Sequence, residues 1–242
     1  MIVAAKTDIG KTRTENQDRY RVSELSDDTA IAVVCDGMGG TRGGGLASEM
    51  ASNVVYERLY LSYRADMEPR TVKNLMVSAV TTANTVVYDK SREDIENQGM
   101  GTTCVAALIH SGLVSIASVG DSRAYILDST GIRQITNDHT VVQYLKAHGM
   151  IDDGEMKSHR MKNVITRAVG VEENIEVDYF ELFAEPGSRI LICTDGLTNY
   201  LSDEDIYSMA IKTAPEQAVS DLVNRANQGG GKDNITVALI TI

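Results

Sequence analysis

The chain lacks most features that mark secreted or membrane-spanning proteins. Its three cysteines, Cys35, Cys104 and Cys193, lie inside apolar runs and form no CxxC motif. This context favours buried, reduced thiols over disulfides. No stretch approaches the roughly eighteen uninterrupted apolar residues of a membrane span. The first ten residues carry a lysine and an aspartate and contain no apolar core of signal-peptide length. We therefore expect a cytoplasmic protein with no membrane partner.

Positive charge is also scarce. The 242 residues include 23 Lys and Arg against 34 Asp and Glu, which gives a formal net charge of −11. This balance argues against nucleic acid or an anionic membrane surface as a partner. Such a chain can bind a phosphate group only through metal ions or through local basic residues.

No internal repeat and no low-complexity linker divides the chain, so we predict a single domain over residues 1–242. Apolar patterns predict strands near 2–7, 19–25, 29–35, 102–110, 112–119, 123–128, 177–184, 188–193 and 234–241. They predict helices near 45–61, 71–95, 139–148, 203–212 and 215–227. Turn residues at 110–112, 128–131 and 185–187 predict hairpin-like connections. This pattern favours an α+β fold with antiparallel sheets covered by helices over a doubly wound parallel sheet.

Four aspartates stand at predicted strand ends or tight turns, two of them directly before a glycine: Asp18, Asp36, Asp195 and Asp233. Two of these positions end apolar runs in the same way, AVVCDG at 32–37 and LICTDG at 191–196. A carboxylate at the end of a buried strand is costly unless another group compensates its charge. Hard divalent cations such as Mg²⁺ and Mn²⁺ prefer carboxylate, carbonyl and water oxygens. The pattern therefore predicts an acidic metal centre.

Each acidic position also has a simpler interpretation. Asp18 could be a helix cap or turn residue, Asp121 could form a hairpin turn, and Asp233 could be a turn former. The glycine-rich DGMGG at 36–40 fits neither the dinucleotide-binding pattern nor the phosphate-binding loop. Its glycines would let the carbonyl of Gly37 face the same ion as Asp36.

Taken in order, the motifs resemble those of the protein phosphatase 2C family, the metal-dependent Ser/Thr phosphatases, in its compact bacterial form. They are RTENQD at 13–18, VVCDGMGG at 33–40, GTT at 101–103, VGDSRAY at 119–125, TNDH at 136–139, NVITRAVG at 163–170, CTDGL at 193–197 and GGKDNITV at 230–237. The resemblance covers essentially the whole chain. It implies a four-layer α-β-β-α sandwich, in which two antiparallel sheets are flanked by pairs of helices. It also implies a mobile flap beside the active site, at about 146–163.

The resemblance implies a role for each matching residue. Asp36 would bridge two metal ions, with the Gly37 carbonyl on one ion and Asp195 and Asp233 on the other. Asp18 would hold the second metal or its waters.

Three further residues have expected roles, and those of Asp121 and Arg13 come from the same resemblance. Asp121, together with Asp195, would form a third and weaker metal site. Arg13 would bind the substrate phosphate. His139 of TNDH would shape its loop rather than ligate metal.

The implied activity is hydrolysis of phosphoserine and phosphothreonine, with Mn²⁺ or Mg²⁺ as cofactor. A hydroxide shared by the two core ions would attack phosphorus in line. Met38 replaces a histidine proposed as general acid in some eukaryotic members, so a metal-bound water becomes the default proton donor. The implied partners are phosphorylated proteins, substrates of a Ser/Thr kinase, with the kinase itself as a further candidate and a monomer as the expected state.

Two alternatives keep the fold and change the function. The first is a catalytically inactive module that binds phosphoproteins, which would be expected to lose a core carboxylate. The second is the regulatory branch that acts on one anti-sigma antagonist, whose members usually lack the arginine-containing first motif and carry sensor domains. The presence of Arg13, Asp36, Asp195 and Asp233 favours the active enzyme.

Overall fold

A computed structural model describes the backbone of residues 1–242 and all side chains except those at 40–42 and 157. The excluded side chains lie in the glycine-rich stretch after Asp36 and in the predicted flap. Within the described residues, no helix is long and apolar enough to cross a membrane.

Two antiparallel sheets form the centre of the molecule. Sheet 1 contains, in spatial order, β1 (Ile2–Asp8), β11 (Ile235–Thr241), β10 (Arg189–Cys193), β7 (Arg123–Asp128) and β8 (Gly131–Gln134). Sheet 2 contains β2 (Asp18–Ser26), β3 (Thr29–Met38), β5 (Cys104–His110), β6 (Leu113–Val119) and β9 (Asp178–Phe183). The short β4 (Gly101–Thr102) pairs with the end of β3.

Helices cover the outer face of each sheet. The long helices over sheet 2 are α1 (Gly40–Ser62) and α2 (Pro69–Glu93), and those over sheet 1 are α6 (Asp203–Ala210) and α7 (Pro215–Gly229). Shorter helices are α3 (Val141–Ala147), α4 (Asp153–Ser158) and α5 (Asp195–Thr198), with a 3₁₀ turn at Ile95–Asn97. This arrangement confirms the predicted four-layer α-β-β-α sandwich.

Strand β3 shows why the pattern of the sequence produces these layers. Successive side chains of a strand point to opposite faces of the sheet. Ala32 and Val34 pack between the two sheets, whereas Val33 and Cys35 pack beneath α1 and α2. Because both faces are buried, the strand is continuously apolar instead of alternating. Full burial of each valine contributes about 1.5–3 kcal/mol.

The connection at 185–187 corrects one prediction. It was predicted as a hairpin, but β9 pairs with β6 in sheet 2, whereas β10 pairs with β7 and β11 in sheet 1. The Pro-Gly turn therefore carries the chain from one sheet to the other. Turn residues specify a change of direction and not which strand the chain pairs with afterwards, so local chemistry could not separate the two cases.

The segment Gly120–Ser122 makes the same kind of crossing, because β6 belongs to sheet 2 and β7 to sheet 1. The hairpin interpretation of Asp121 is therefore wrong. By contrast, the hairpins at 110–112 and 128–131 are present. Ser111 and Gly112 adopt positive φ angles of 49° and 83°, as a tight turn requires.

The predicted flap is partly helical. Helix α4 lies within it and begins with a capping box, in which Asp152 and Glu155 each accept a hydrogen bond from the other's backbone N–H. Six residues are too few to show helical periodicity, so the DxxE pattern was the available signal in the sequence. The remainder of the flap consists of turns and loops.

Candidate active site

Carboxylates from both sheets meet at one end of the sandwich, around a cavity of about 580 Å³. Asp36 comes from β3 of sheet 2, Asp195 lies just after β10 of sheet 1, and Asp233 lies two residues before the start of β11. Asp121 arrives on the crossing between the sheets. Six of the seven predicted site residues line this cavity: Arg13, Asp36, Gly37, Asp121, Asp195 and Asp233.

The backbone around Asp36 is held by two threonines. Its N–H donates to Thr103 Oγ1 (2.9 Å), and its carbonyl accepts from Thr103 N–H (2.9 Å) and from Thr102 Oγ1 (2.8 Å). The Asp36 side chain keeps part of its surface open to the cavity, yet protein surrounds it closely. Burial, followed by repulsion from the neighbouring aspartates, raises its pKa well above the ordinary value.

The glycines after the two strand-end aspartates allow close backbone packing. A Cβ on Gly37 would lie 2.1 Å from the carbonyl oxygen of Gly44, and one on Gly196 would lie 1.9 Å from that of Asn234. Both distances are far below van der Waals contact, so a side chain at either position would displace backbone. The Asp-Gly pairs therefore place a carboxylate at a point where two backbone segments touch.

The carboxylates on the sheet 1 side are incompletely paired. Asp195 Oδ2 accepts from Asn199 Nδ2 (3.0 Å), whereas its Oδ1 is buried without a hydrogen-bond partner. Burial, with repulsion from Asp233, raises the pKa of Asp195. Burial, with repulsion from Asp195 and Asp138, raises the pKa of Asp121 to about 7.

Asp18 lies beneath the cavity and does not line it. It is 1% exposed and begins β2, opposite Asp36 in the strand register, so it is not a helix cap. Its Oδ2 accepts from Thr194 Oγ1 (2.9 Å) and Thr236 Oγ1 (2.6 Å), and its Oδ1 has no partner. Burial raises the pKa of Asp18 to about 7. Asp18 therefore joins β2 of sheet 2 to β11 of sheet 1 and to the residue that follows β10.

The donor set fits a hard divalent cation in its chemistry. Among the described side chains, no group of three or more His, Cys, Asp or Glu residues is placed so that it could hold an ion as it stands. However, two buried carboxylate oxygens, Asp18 Oδ1 and Asp195 Oδ1, have no partner, and the aspartates raise one another's pKa values. Divalent cations such as Mg²⁺ and Mn²⁺ compensate buried carboxylate oxygens that have no hydrogen-bond partner.

Arg13 stands at the rim of the cavity. Its Nη2 donates to Asp233 Oδ2 at 2.8 Å, and this hydrogen bond is the main cause that raises the pKa of Arg13. The two side chains are 53% and 31% exposed, so the pair contributes about 1 kcal/mol or less to stability. Its main consequence is positional, because it directs the guanidinium towards the acidic cavity.

Comparison with known proteins identifies the family. The profile of the family described as protein phosphatase 2C matches residues 10–237. The chain belongs to the protein phosphatase 2C family. It is 36% identical over 237 residues to the serine/threonine phosphatase Stp of Listeria monocytogenes, and the match covers 97% of this chain and 93% of that protein.

Solved structures of bacterial phosphatases share the fold. The serine/threonine phosphatase of S. agalactiae superposes with a TM-score of 0.92 at 33% identity, covering 100% of this chain and 99% of that one. The catalytic domain of the serine/threonine phosphatase PstP, in complex with two manganese ions, gives a TM-score of 0.84 at 28% identity, with coverages of 98% and 96%. Together with the sequence relatives, these matches identify the chain as a protein serine/threonine phosphatase.

Sequence reasoning missed one residue that organises the phosphatase cavity. Asn234 lines the cavity and its Oδ1 accepts from Gln17 N–H (2.8 Å). Its Nδ2 donates to the carbonyls of Ile9 (2.9 Å) and Glu15 (3.0 Å). Asn234 thus holds the segment that carries Arg13 against the turn that carries Asp233. The available signal was an amide directly beside a predicted ligand in KDNITV.

The crossing that carries Asp121 is fixed from the TNDH segment. Arg123 Nε donates to both carboxylate oxygens of Asp138 (2.9 and 3.0 Å), and Arg123 Nη2 donates to Asp138 Oδ2 (2.6 Å). His139 is buried, and its Nδ1 accepts a hydrogen bond from Gly120 N–H (3.1 Å). The backbone N–H of His139 donates to the Gly120 carbonyl (2.9 Å). These contacts are consistent with the predicted loop-shaping role of His139.

Proposed function

We propose that this phosphatase depends on Mn²⁺ or Mg²⁺ and hydrolyses phosphoserine and phosphothreonine in proteins by direct attack of water-derived hydroxide on phosphorus. The observation that carries the proposal is the meeting of Asp36, Asp121, Asp195 and Asp233 at one cavity, with an arginine at its rim. The bound metals would act as Lewis acids that activate water and stabilise charge on the phosphoryl oxygens.

The assignment of ligands follows the family resemblance, and the meeting of these residues at one cavity supports it. Asp36 would bridge two core ions. The Gly37 carbonyl would serve one ion, and Asp195 and Asp233 the other. Asp121, with Asp195, would hold a weaker third ion.

Asp18 would act on the second metal through water. Its side chain lies below the cavity surface, but its unpaired Oδ1 is a buried acceptor that a metal-bound water can satisfy. Its two threonine donors occupy only the other oxygen.

Arg13 would capture the phosphate. A guanidinium donates two parallel hydrogen bonds to a phosphate and stays charged at every physiological pH. Its contact with Asp233 places that fork at the rim, where a phosphoryl group would enter. No thiolate is available as a nucleophile, because all three cysteines are buried and burial raises the pKa of Cys193 to about 12.

The remaining assignments rest on the family and on charge. The substrates would be phosphoproteins made by a Ser/Thr kinase, with the kinase itself as a further substrate. We propose a cytoplasmic monomer in which residues 1–242 act as one catalytic domain, the 146–163 segment serving as its flap, with no nucleic-acid or membrane partner. The charge of −11 supports the last point.

The deciding experiment is hydrolysis of a phosphothreonine peptide with and without Mn²⁺. We expect turnover that requires Mn²⁺, disappears with a chelator and returns when the metal is restored. Phosphopeptide binding without turnover at saturating Mn²⁺ would instead support the inactive binding module.

A further inference from the structure

A second cavity, of about 440 Å³, lies directly beside the active site. The two cavities share Met38 and Ile165 in their walls. We call the second one the side groove. Its lining also includes Arg167, Val171, Glu172, Ile175 and Glu176.

The wall of the side groove is tied to the metal-binding strand. Val169, in this wall segment, exchanges two backbone hydrogen bonds with Thr102, at 2.9 and 3.0 Å. The hydroxyl of Thr102 also donates to the Asp36 carbonyl at 2.8 Å. One buried threonine therefore contacts both the groove wall and the carboxylate strand, so the groove keeps a fixed position relative to the reaction centre.

A buried asparagine fixes the far side of the groove. Asn84 of α2 is 1% exposed, and its Oδ1 accepts from Gly170 N–H at 2.7 Å. Its Nδ2 donates to the carbonyls of Glu172 (2.9 Å) and Glu173 (3.1 Å). The groove is thus formed before any ligand arrives, which lowers the entropic cost of binding.

The surface of the groove combines apolar area with a net negative charge. Val171 is 49% exposed, although it is apolar. Arg167 donates to Glu176 (2.8 Å) and also contacts Asp178 (3.1 Å), so its single positive charge faces two carboxylates. Glu172 adds a further negative charge at the groove. A complementary ligand carries an apolar side chain followed by a basic one.

We propose that the side groove binds the peptide segment that flanks the phosphorylated residue of a protein substrate. The proposal rests on the proposed function, since the phosphoryl group of a substrate must enter the first cavity while its peptide chain passes out over an adjoining surface. The groove adjoins that cavity through Met38 and Ile165. It selects an apolar residue near phosphothreonine and a basic residue beyond it.

The test compares substrates with different flanks. One set of phosphothreonine peptides carries Leu and Lys next to the phosphorylated residue, with the pair placed in turn at each nearby position before and after it. A matched set carries Ser and Asp at the same positions. p-Nitrophenyl phosphate, which has no flanking chain, measures the metal centre alone. We expect wild-type enzyme to give a higher kcat/KM for one placement of the Leu-Lys flank.

Two pairs of variants locate the effect. Val171→Asp should raise KM for the preferred peptide about tenfold and leave p-nitrophenyl phosphate unchanged, whereas Val86→Asp, at an exposed valine of α2 outside the groove, should change neither. Glu172→Lys should weaken the preference for the basic flank about threefold. Glu173→Lys introduces the same charge beside the groove but not in its lining and should have a smaller effect.

Several outcomes would overturn the proposal. Equal kcat/KM for all flanks would exclude sequence recognition by the groove, and an equal loss on p-nitrophenyl phosphate would make Val171 a support of the active centre. Self-association of the wild type that Val171→Asp abolishes, without any effect on peptides, would make the groove an interface between copies. If Val171→Asp lowers the melting temperature, the Glu172 and Glu173 pair decides the question. Absence of Mn²⁺-dependent hydrolysis of every substrate would instead contradict the proposed function.

Discussion

The two Asp-Gly strand ends have the same letters and different structures. After Asp36, β3 continues through Gly37 and Met38 and pairs with β4 before α1 begins. After Thr194, the chain turns at once into α5, so Asp195 is a helical residue. The first pair belongs to sheet 2, whereas the second follows β10 of sheet 1. Both nevertheless deliver a carboxylate to the same cavity.

This difference separates what the motif does from what the fold does. In both places the glycine permits a backbone contact that no side chain would allow, and the aspartate is left at the edge of the core. The direction that the chain takes afterwards is set by its neighbours: β4 and α1 in one case, Asn199 and β11 in the other. A strand-end Asp-Gly is therefore a local device that two different connections can use.

Neutralising one carboxylate from either sheet should have the same large effect. Asp36→Asn, on sheet 2, and Asp233→Asn, on the sheet 1 side, should each lower phosphothreonine hydrolysis by about 100-fold or more, because each removes the charge of a proposed metal ligand. Isothermal titration with Mn²⁺ should show weaker or fewer sites. Turnover at the wild-type level in the Asp36 variant would contradict the bridging assignment.

The Asp36 variant also distinguishes loss of metal from loss of fold. A buried aspartate whose pKa is raised in the folded state is ionised first in the unfolded state, so at neutral pH its charge destabilises the metal-free fold. Asp36→Asn should therefore keep or raise the melting temperature of the metal-free protein. The increase in melting temperature on adding Mn²⁺ should be smaller than in the wild type.

Adding a methyl group to each glycine tests the shared backbone contact. Gly196→Ala and Gly37→Ala should each destabilise the fold by about 1–3 kcal/mol, because the new Cβ would overlap a carbonyl oxygen. Chemical denaturation measures this change. Gly154→Ala in α4 is the matched control, since its Cβ would meet only Asp152 Oδ1 at 3.2 Å. If the Gly196 and Gly37 variants match that control, the close packing at the strand ends has no energetic importance.

Arg13 sharpens the comparison, because it pairs with the sheet 1 side only. Arg13→Ala should raise KM for a phosphopeptide and lower kcat/KM about tenfold, with Mn²⁺ binding intact, since its proposed role is to capture phosphate. Some loss of kcat agrees with this role if the contact tightens in the transition state. Steady-state kinetics and Mn²⁺ titration together test it. An unchanged kcat/KM would show that Arg13 is only a surface residue.

The smallest expected effect concerns Asp121, which has no counterpart at the β3 end. Asp121→Ala should keep the two-metal core and the fold, lower turnover a few-fold and shift the Mn²⁺ concentration for half-maximal rate, because a peripheral ion binds more weakly. Rate against Mn²⁺ concentration, beside a melting curve, separates the possibilities. An unaltered metal dependence with a lower melting temperature would make Asp121 structural.

Much of the site could be predicted because short local motifs contain its carboxylates. A carboxylate after an apolar run, next to a glycine, is visible in AVVCDG and LICTDG without any structure. The pattern of strands and helical stripes predicted antiparallel sheets covered by helices, and the family resemblance implied the four-layer sandwich. The ligand roles of the aspartates remain predictions, but their positions around one cavity are observed, apart from Asp18 beneath it.

The parts that escaped prediction depend on long-range contacts. The crossings at Gly120–Ser122 and 185–187 look like hairpins, because turn residues carry no information about the next pairing partner. Asn234 resembles an ordinary turn residue until the segment 9–17 is placed against it. The short β8, α4 and α5 have too few residues for a period to appear.

The pairing of Asp18 with two threonines determines which way the hydroxyl hydrogen bonds beneath the cavity point. When Asp18 is ionised, its Oδ2 can only accept from Thr194 and Thr236, so the single hydroxyl proton of each is committed to it. The 2.7 Å contact between Thr236 Oγ1 and Thr7 Oγ1 must then be donated by Thr7, whose oxygen in turn accepts from Asn16 Nδ2 at 2.9 Å. Asn16, Thr7 and Thr236 thus form a one-way relay of dipoles across β1, β11 and β2, every positive end aimed at the same oxygen. The carboxylate beneath the cavity thus sets the orientation of protons as far away as the loop that carries Arg13.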